Sequence, residues 1–373
     1  MLTMNNKIRF VEPDVQWQRL KNEMEPAILD TLAKGDLILR SQLLSFEKNL
    51  ADYCGTKYAV GLNSGFHALH LSLIAAGIGA GDEVITVAHT FLASISAIVL
   101  VGATPVLVDV CEDYNMDMDA VETAITSRTR AVMPVHLNGR ICEMERLLQI
   151  ASKRDLLIIE DAAQALGAEF NSKRAGSFGL TGCFSFYPFK SLGAYGDAGA
   201  ITTNDPDIAY KAKCLRYNGE DRETREFQFH GFTALLDNLQ AAVLDVKLRH
   251  FPQWVARRRE LAERYRAGLE GVGDLRLPHF PDTPGKKYFD TFQNYVIRTK
   301  RRDELAEHLR TNGVEIIISW PKPIWEYESL NLGSHHLEET GAICGEVLSL
   351  PLNSEISDKS VDAVIDIMRS FEW

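Results

Sequence analysis

Long apolar runs are missing from this chain of 373 residues. None approaches the roughly 20 residues that a helix needs to cross a bilayer, so no membrane span is expected. Positive charge is scarce as well: 40 Lys and Arg stand against 51 Asp and Glu, for a formal charge of −11. That balance argues against a nucleic-acid partner, which requires a basic patch or stripe. It leaves an anionic small substrate open, because local groups rather than net charge build a phosphate site. Cysteine is sparse and scattered, at positions 54, 111, 142, 183, 214 and 344. Without a C-x-x-C pair or a Cys/His cluster, neither a zinc site nor a disulfide scaffold is expected. The thiols read as small, partly buried hydrophobes in a reducing compartment. Met1–Lys7 lacks a charged segment followed by an apolar one, so no signal peptide is predicted and the expected location is cytoplasmic. Internal repeats and low-complexity segments are also absent.

What remains is an ordinary globular composition, 46% hydrophobic and 24% charged. The length exceeds one comfortable core, so two domains are expected: residues 1–250 as a large domain with an N-terminal arm, and 251–373 as a small α+β domain. Helical spacing of Leu20, Met24, Ile28 and Leu32 predicts a first helix, and a second runs from Leu43 to a stop near Gly55. From Tyr58 the pattern alternates. Strands are predicted at 58–62, 83–87, 105–110, 131–137 and 156–160, with helices from about Gly65, at 92–101, 119–125 and 142–153 between them. Near-continuous apolar strands separated by helices predict an α/β fold with a mostly parallel sheet covered on both faces. Beyond it come helices at 208–216 and 235–248, and the charged run after Arg257 as the solvated face of a long linking helix. The loop Pro278–Lys287 follows, then strands at 293–298 and 314–318 and helices at 302–310 and 360–370.

In open α/β sheets ligands gather at the carboxyl ends of the strands. Asn63-Ser64-Gly65, Thr90-Phe91, His136 and Asp161 all fall at such ends. Each alone has a plainer reading: Ser64 or Asp161 as a helix cap, Phe91 as a core ring. Together with Lys190, set among small residues between two apolar runs, they describe one chemistry. A buried acid that partners a ring nitrogen, and an amine that forms a Schiff base, are what pyridoxal 5′-phosphate requires. Lys190 is therefore the candidate catalytic residue, with a lowered pKa expected of an amine that also moves a proton. Asp161 would hold the ring nitrogen and Gln164, one turn on, would reach the ring's 3-oxygen. Phe91 would stack on the ring. Ser185 and the helix start at Gly65 would take the phosphate, since a helix N-terminus offers unpaired N–H groups and partial positive charge.

With these pieces assembled the chain resembles the DegT/DnrJ/EryC1/StrS family of sugar aminotransferases over nearly its whole length. The carrying motifs include Asn63-Ser-Gly-x-x-Ala-Leu, Gly81-Asp-Glu-Val-Ile, Pro134-Val-His-Leu, Glu160-Asp-Ala-Ala-Gln, Phe184-Ser-Phe-Tyr-Pro-x-Lys190, Gly196-Asp-x-Gly-Ala and Leu239-Gln-Ala-Ala. The resemblance implies the type I (aspartate aminotransferase-like) fold of pyridoxal phosphate enzymes and a homodimer with its active sites at the interface. It implies glutamate or glutamine as amino donor and a nucleotide-linked keto-sugar as acceptor. The wording around Lys190 is most like members that aminate C3 of 3-keto-sugars. It also assigns Lys190, Asp161, Gln164, Ser185 and Phe91 the roles just given.

Two departures stand out. The family's Ser-Gly-Thr is Ser64-Gly65-Phe66 here, so Phe66 can offer only its backbone N–H. The usual Gly-Tyr-Asn-x-Arg is Gly231-Phe232-Thr233-Ala234-Leu235, which removes the asparagine that typically reaches the partner subunit's phosphate. Thr233, Asn218 and Arg222 are the nearby substitutes. Same-fold alternatives are a sugar dehydratase, which typically carries histidine at the lysine position, a cyclitol aminotransferase, or a non-catalytic regulator. Substrate contacts are expected near Asn138, Tyr187, Tyr195 and Trp320.

Overall fold

A computed structural model describes residues 7–279 and 287–373. Most of the predicted loop Pro278–Lys287, and the first six residues, lie outside them. Two helices open the chain, α1 (Pro13–Lys34) and α2 (Ser41–Cys54). Pro13 starts the first with its fixed φ, and Gly35 and Gly55 end both in the left-handed conformation that glycine adopts without strain. Leu20 and Met24 are buried as predicted, whereas Leu32 is 50% exposed and belongs to the outer face.

The alternating segment follows: β1 (Tyr58–Leu62), α3 (Gly65–Ala75), β2 (Glu83–Val87), α4 (Leu92–Leu100), β3 (Thr104–Val108), α5 (Met118–Ala124), β4 (Thr129–Met133), α6 (Met144–Arg154) and β5 (Leu157–Asp161). A short hairpin, β6 (Glu169–Phe170) and β7 (Lys173–Arg174), leads to β8 (Thr181–Ser185) and β9 (Gly199–Thr203). Seven of these strands form one sheet in the order β1-β9-β8-β5-β4-β2-β3. All run parallel except β9, which pairs antiparallel with both β1 and β8. The carboxyl ends of β1, β2, β4, β5 and β8 therefore share one edge, and the reversed β9 begins there, Gly199 lying opposite both Leu62 and Ser185. The strand predicted at 131–137 ends at Met133, because the chain turns into a 3-10 segment at Leu137–Gly139 with Asn138 at φ 56°.

After α7 (Pro206–Leu215), the helix predicted at 235–248 and the charged run beyond it are one element, α8 (Asn238–Leu269). Its 32 residues span about 48 Å and continue through Pro252. The remaining elements are β10 (Tyr288–Phe289), β11 (Tyr295–Arg298), α9 (Arg302–Thr311), α10 (Glu338–Glu346), β12 (Val347–Leu350) and α11 (Asp358–Arg369). The strand predicted at 314–318 does not form. Val314 and Ile317 make single bridges to Ile8 and Ser349, so its apolar residues pack without a ladder of their own. One set of buried side chains, from Leu261 to Met368, packs α8, α9 and α11 against β11 and β12. Two others cover the faces of the seven-stranded sheet. That burial is what holds the strand ends in register around the site.

Candidate active site

The shared sheet edge opens into a cavity of about 580 Å³, within the usual range for a small-ligand site. Gly65, Phe66, Phe91, Asp161, Gln164, Ser185 and Lys190 all line it. Each arrives by a simple local rule. Ser64 caps α3 by accepting the His67 N–H at 3.1 Å, which leaves the N–H groups of Gly65 and Phe66 outside the helix's own ladder. Phe91 stands at the start of α4 with 65% of its surface exposed. Asp161 ends β5, and Lys190 sits in the loop between β8 and β9.

Strand alternation divides the two acids at the end of β5. Glu160 points to one face and is fully buried, accepting N–H groups from Gly176, Phe178 and Gly179 at 2.7–2.8 Å. His136 completes its shell at 3.0 Å from Nε2. His136 Nδ1 accepts the Cys142 N–H, which leaves Nε2 as the nitrogen that donates to Glu160. His136 does not line the cavity; its place at a strand end reflects packing. Asp161 points the other way and accepts from Ser94 Oγ at 2.7 Å and the Ala163 N–H at 3.2 Å. Neither donor is charged. Burial therefore pushes its carboxyl above the ordinary value, against the pull of those two hydrogen bonds.

Lys190 is half-buried, and among the described residues its Nζ makes no hydrogen bond or ion pair. Burial lowers its pKa, opposed by the charge of Asp161. Gln164 Oε1 is occupied by the Asn138 N–H at 2.9 Å and lies 3.4 Å from Asn294 Nδ2. That network orients the amide and leaves Nε2 as the group free to donate. Ser185 Oγ accepts the Tyr187 N–H at 3.4 Å and keeps its O–H as a donor.

These groups fit pyridoxal phosphate. An uncompensated buried carboxylate suits a ring N–H, an unbonded amine suits the aldehyde carbon, and an amide N–H suits the 3-oxygen. The phosphate end is built by close backbone approach. A Cβ on Gly65 would lie 2.6 Å from Ser185 Cβ, and one on Gly199 would lie 2.3 Å from the Ser64 carbonyl. Only glycine allows that closeness. The lining contains no arginine and no lysine besides Lys190, so a phosphate here would rest on N–H groups, the Ser185 hydroxyl and the α3 terminus. Thr233 and Asn218 bond each other at 3.3 Å, and Arg222 stacks 4.6 Å over Tyr217. None of the three lines this cavity.

Of the expected substrate-contact residues, Tyr187 and Trp320 line the cavity. Asn138 acts through Gln164. Tyr195 faces away, edge-on to Trp17 at 5.9 Å and beneath Lys247. Sequence reasoning missed Ser94, Asn294 and Asp197. Ser94 and Asn294 come from α4 and from just before β11, far from the residues they hold, and a lone serine or asparagine carries no periodic signal.

A parallel α/β sheet whose strand ends converge on a lysine, an acid and a phosphate-sized helix start defines a pyridoxal phosphate enzyme of fold type I. Residues 18–369 match the DegT/DnrJ/EryC1/StrS aminotransferase family, and the chain belongs to it. Family members use pyridoxal 5′-phosphate, and solved structures include its pyridoxal and pyridoxamine forms. A relative from Streptomyces venezuelae, dTDP-3-amino-3,4,6-trideoxy-alpha-D-glucose transaminase, is 39% identical over 98% of this chain and 96% of its own. The Pleiotropic regulatory protein of Geobacillus stearothermophilus is 37% identical over 95% of this chain and 96% of its own. The crystal structure of S. venezuelae DesV with a ketimine intermediate superposes with a TM-score of 0.93 at 38% identity, covering 98% of both chains.

Proposed function

We propose that this protein is a transaminase that moves an amino group from glutamate to the ketone carbon of a nucleotide-linked sugar, with the 3-keto position preferred. The observation that carries the reading is one cavity holding, among the described residues, a lysine amine without a hydrogen bond and a buried carboxylate without an ion pair. Bound pyridoxal phosphate supplies the electron sink that lets an amine-bearing carbon lose its proton. Asp161 would accept the ring N–H. Gln164 Nε2 donates toward the 3-oxygen. Lys190 Nζ, whose proton affinity is lowered by burial, would take up the proton from the amine-bearing carbon. Phe91 would cover the ring face, and Gly65, Phe66 and Ser185 would hold the phosphate. In balance, glutamate leaves as 2-oxoglutarate and the ketone becomes an amine.

The same reading divides the chain into domains 1–250 and 251–373, supported by the separate core around α9, α11, β11 and β12. It takes the working form to be a homodimer with the sites at the interface. Phe91, Tyr187, Phe189, Phe227 and Phe229 all stay at least 40% exposed in the single chain, more ring surface than one chain ordinarily leaves in water. The cytoplasm is the location that suits six free thiols. Among the described residues no helix is long and apolar enough to cross a membrane.

The test is amino transfer run in reverse. A panel of dTDP- and UDP-linked 3-amino and 4-amino sugars is incubated with 2-oxoglutarate, and glutamate is measured. Glutamate from a 3-amino sugar is expected; glutamate only from 4-amino sugars would overturn the regiochemistry, and none from any sugar would overturn the activity. A second reading, a regulator on the same fold, is favoured by Thr233 and Leu235 at the altered phosphate motif and by the likeness to the Geobacillus protein. A Lys190→Ala chain that kept its cellular role would establish it.

A further inference from the structure

The loop that carries Lys190 is gripped from behind by three side chains that never enter the cavity. On α8, Gln240 Oε1 accepts the Tyr195 N–H at 2.8 Å. Two turns along the same face, Lys247 Nζ donates to the Gly193 carbonyl at 2.7 Å. From the other side Gln293 Oε1 accepts both the N–H and the Oγ–H of Ser191 at 2.7 Å, and its Nε2 donates to the Phe189 carbonyl at 3.2 Å. The Gln293 carbonyl is itself held by Arg258 Nη2 at 2.7 Å.

Lys247 is the anomaly of the three. It is 2% exposed and has no ion pair among the described residues. Its ammonium meets one carbonyl and the ring of Tyr195, 4.1 Å away. Burial pulls its pKa down to about 7. A second cavity of about 310 Å³ lies behind the loop, and the other charged side chains on its wall do not neutralise Lys247. Lys190, which also borders this cavity, is an amine like Lys247; Glu355 pairs with Arg19 at 2.6 Å, Arg258 serves backbone carbonyls, and burial raises the pKa of Glu12. Placing an ammonium here is costly, and a methionine, one atom shorter, would fill most of the space without that penalty. The cost falls on the Gly193 carbonyl, three residues after Lys190. There the turn closes so tightly that a Cβ would stand 2.4 Å from the Pro188 carbonyl. The Lys190 N–H bonds the Tyr187 carbonyl at 2.8 Å, and the Ala194 N–H bonds that of Phe186 at 2.8 Å. A displacement at Gly193 therefore moves the base of the Lys190 side chain.

We propose that Lys247 is a positioning residue for Lys190: by holding the Gly193 carbonyl from behind, its ammonium fixes the turn from which Lys190 reaches into the cavity. The inference rests on the role given to Lys190 above.

The test compares wild type, Lys247→Met and Lys247→Arg, each loaded with pyridoxal phosphate. Three quantities are read: the pH at which the visible absorbance changes, the single-turnover rate with glutamate, and the melting midpoint. In Lys247→Met the absorbance transition is expected to move by about half a pH unit or more. The rate should fall roughly 10- to 100-fold, the scale of a misplaced reacting group, with the concentration of glutamate giving half the maximal rate changed by less than about threefold. Its melting midpoint should equal or exceed that of wild type. Lys247→Arg, which keeps a donor for Gly193, should recover part of both shifts. An unchanged transition and rate in Lys247→Met would overturn the inference, as would a rate that falls only in step with the melting midpoint. Should Lys247→Met fail to fold, Lys247→Gln, whose shorter donor withdraws from Gly193, reads the same quantities by the same criteria. An uncoloured wild type would instead overturn the role of Lys190, and this inference with it.

Discussion

Glu160 and Asp161 are neighbours on one strand, both buried, and their surroundings differ. Glu160 has a complete shell of four donors, three of them backbone N–H groups that lock the segment at 176–179 onto β5. Asp161 has two neutral donors and a face left toward the cavity. A saturated buried carboxylate organises the fold, because removing it strands every donor it satisfied. An unsaturated one is held at a cost that only a cationic partner relieves, and such costs cluster at functional sites. Strand parity, a matter of one residue, separates the saturated acid from the one that faces the cavity.

That contrast can be broken in several ways. Lys190→Ala, the change on the cavity side with the largest effect, should reduce turnover at least about a thousandfold while leaving far-ultraviolet circular dichroism intact. Glu160→Ala should do the reverse. It leaves three backbone donors and a histidine unpaired, a loss of roughly 3–5 kcal/mol in denaturant unfolding. Any chain that does fold should retain its amino-transfer rate per molecule. Asp161→Asn should slow amino transfer about a hundredfold or more, the scale of a lost charge at a reacting centre. Its apo-protein should be no less stable than wild type. If Glu160→Ala harmed only catalysis, or Asp161→Asn harmed only folding, the division between the two acids would be wrong.

Smaller changes sharpen the same contrast. Ser94→Ala removes one donor from Asp161 and should cost about 1 kcal/mol, read as a several-fold weaker hold on pyridoxal phosphate by fluorescence titration. The smallest effect concerns pH. The Asp161 carboxyl has its pKa raised above 3.8 in the folded apo-protein, so between 3.8 and that raised value the folded state binds more protons than the unfolded one. Stability contributed by this group therefore falls as pH rises through the window. Any stability advantage of Asp161→Asn should be present at neutral pH and shrink as pH falls toward 3.8, followed by chemical denaturation of both apo-proteins.

Much of this was legible in the sequence, for identifiable reasons. Buried parallel strands are continuous apolar runs, so their carboxyl ends, and with them Gly65, Phe91 and Asp161, could be read from patterning alone. Lys190 followed from its loop, and the six residues grouped around it line the same cavity as it does. Face parity was harder. His136 sits at a strand end like Asp161, yet it packs against Glu160, because where β4 stops decides which way the next residues turn. The apolar segment at 314–318 looked like a strand, but it pairs through single bridges, so tertiary packing overrode local pattern. Ser94, Gln293 and Lys247 act through contacts formed only when distant elements meet. Tyr195, expected at the substrate, turns toward α8 for the same reason.

The cofactor is expected to attach at the amine that faces Asp161. Wild-type protein loaded with pyridoxal phosphate is reduced with borohydride, digested, and its peptides are mapped by mass spectrometry. The yellow colour should bleach, and the pyridoxyl mass should appear on Lys190 alone. A label on any other lysine, or none on a protein that folds and binds the cofactor, would contradict attachment at Lys190.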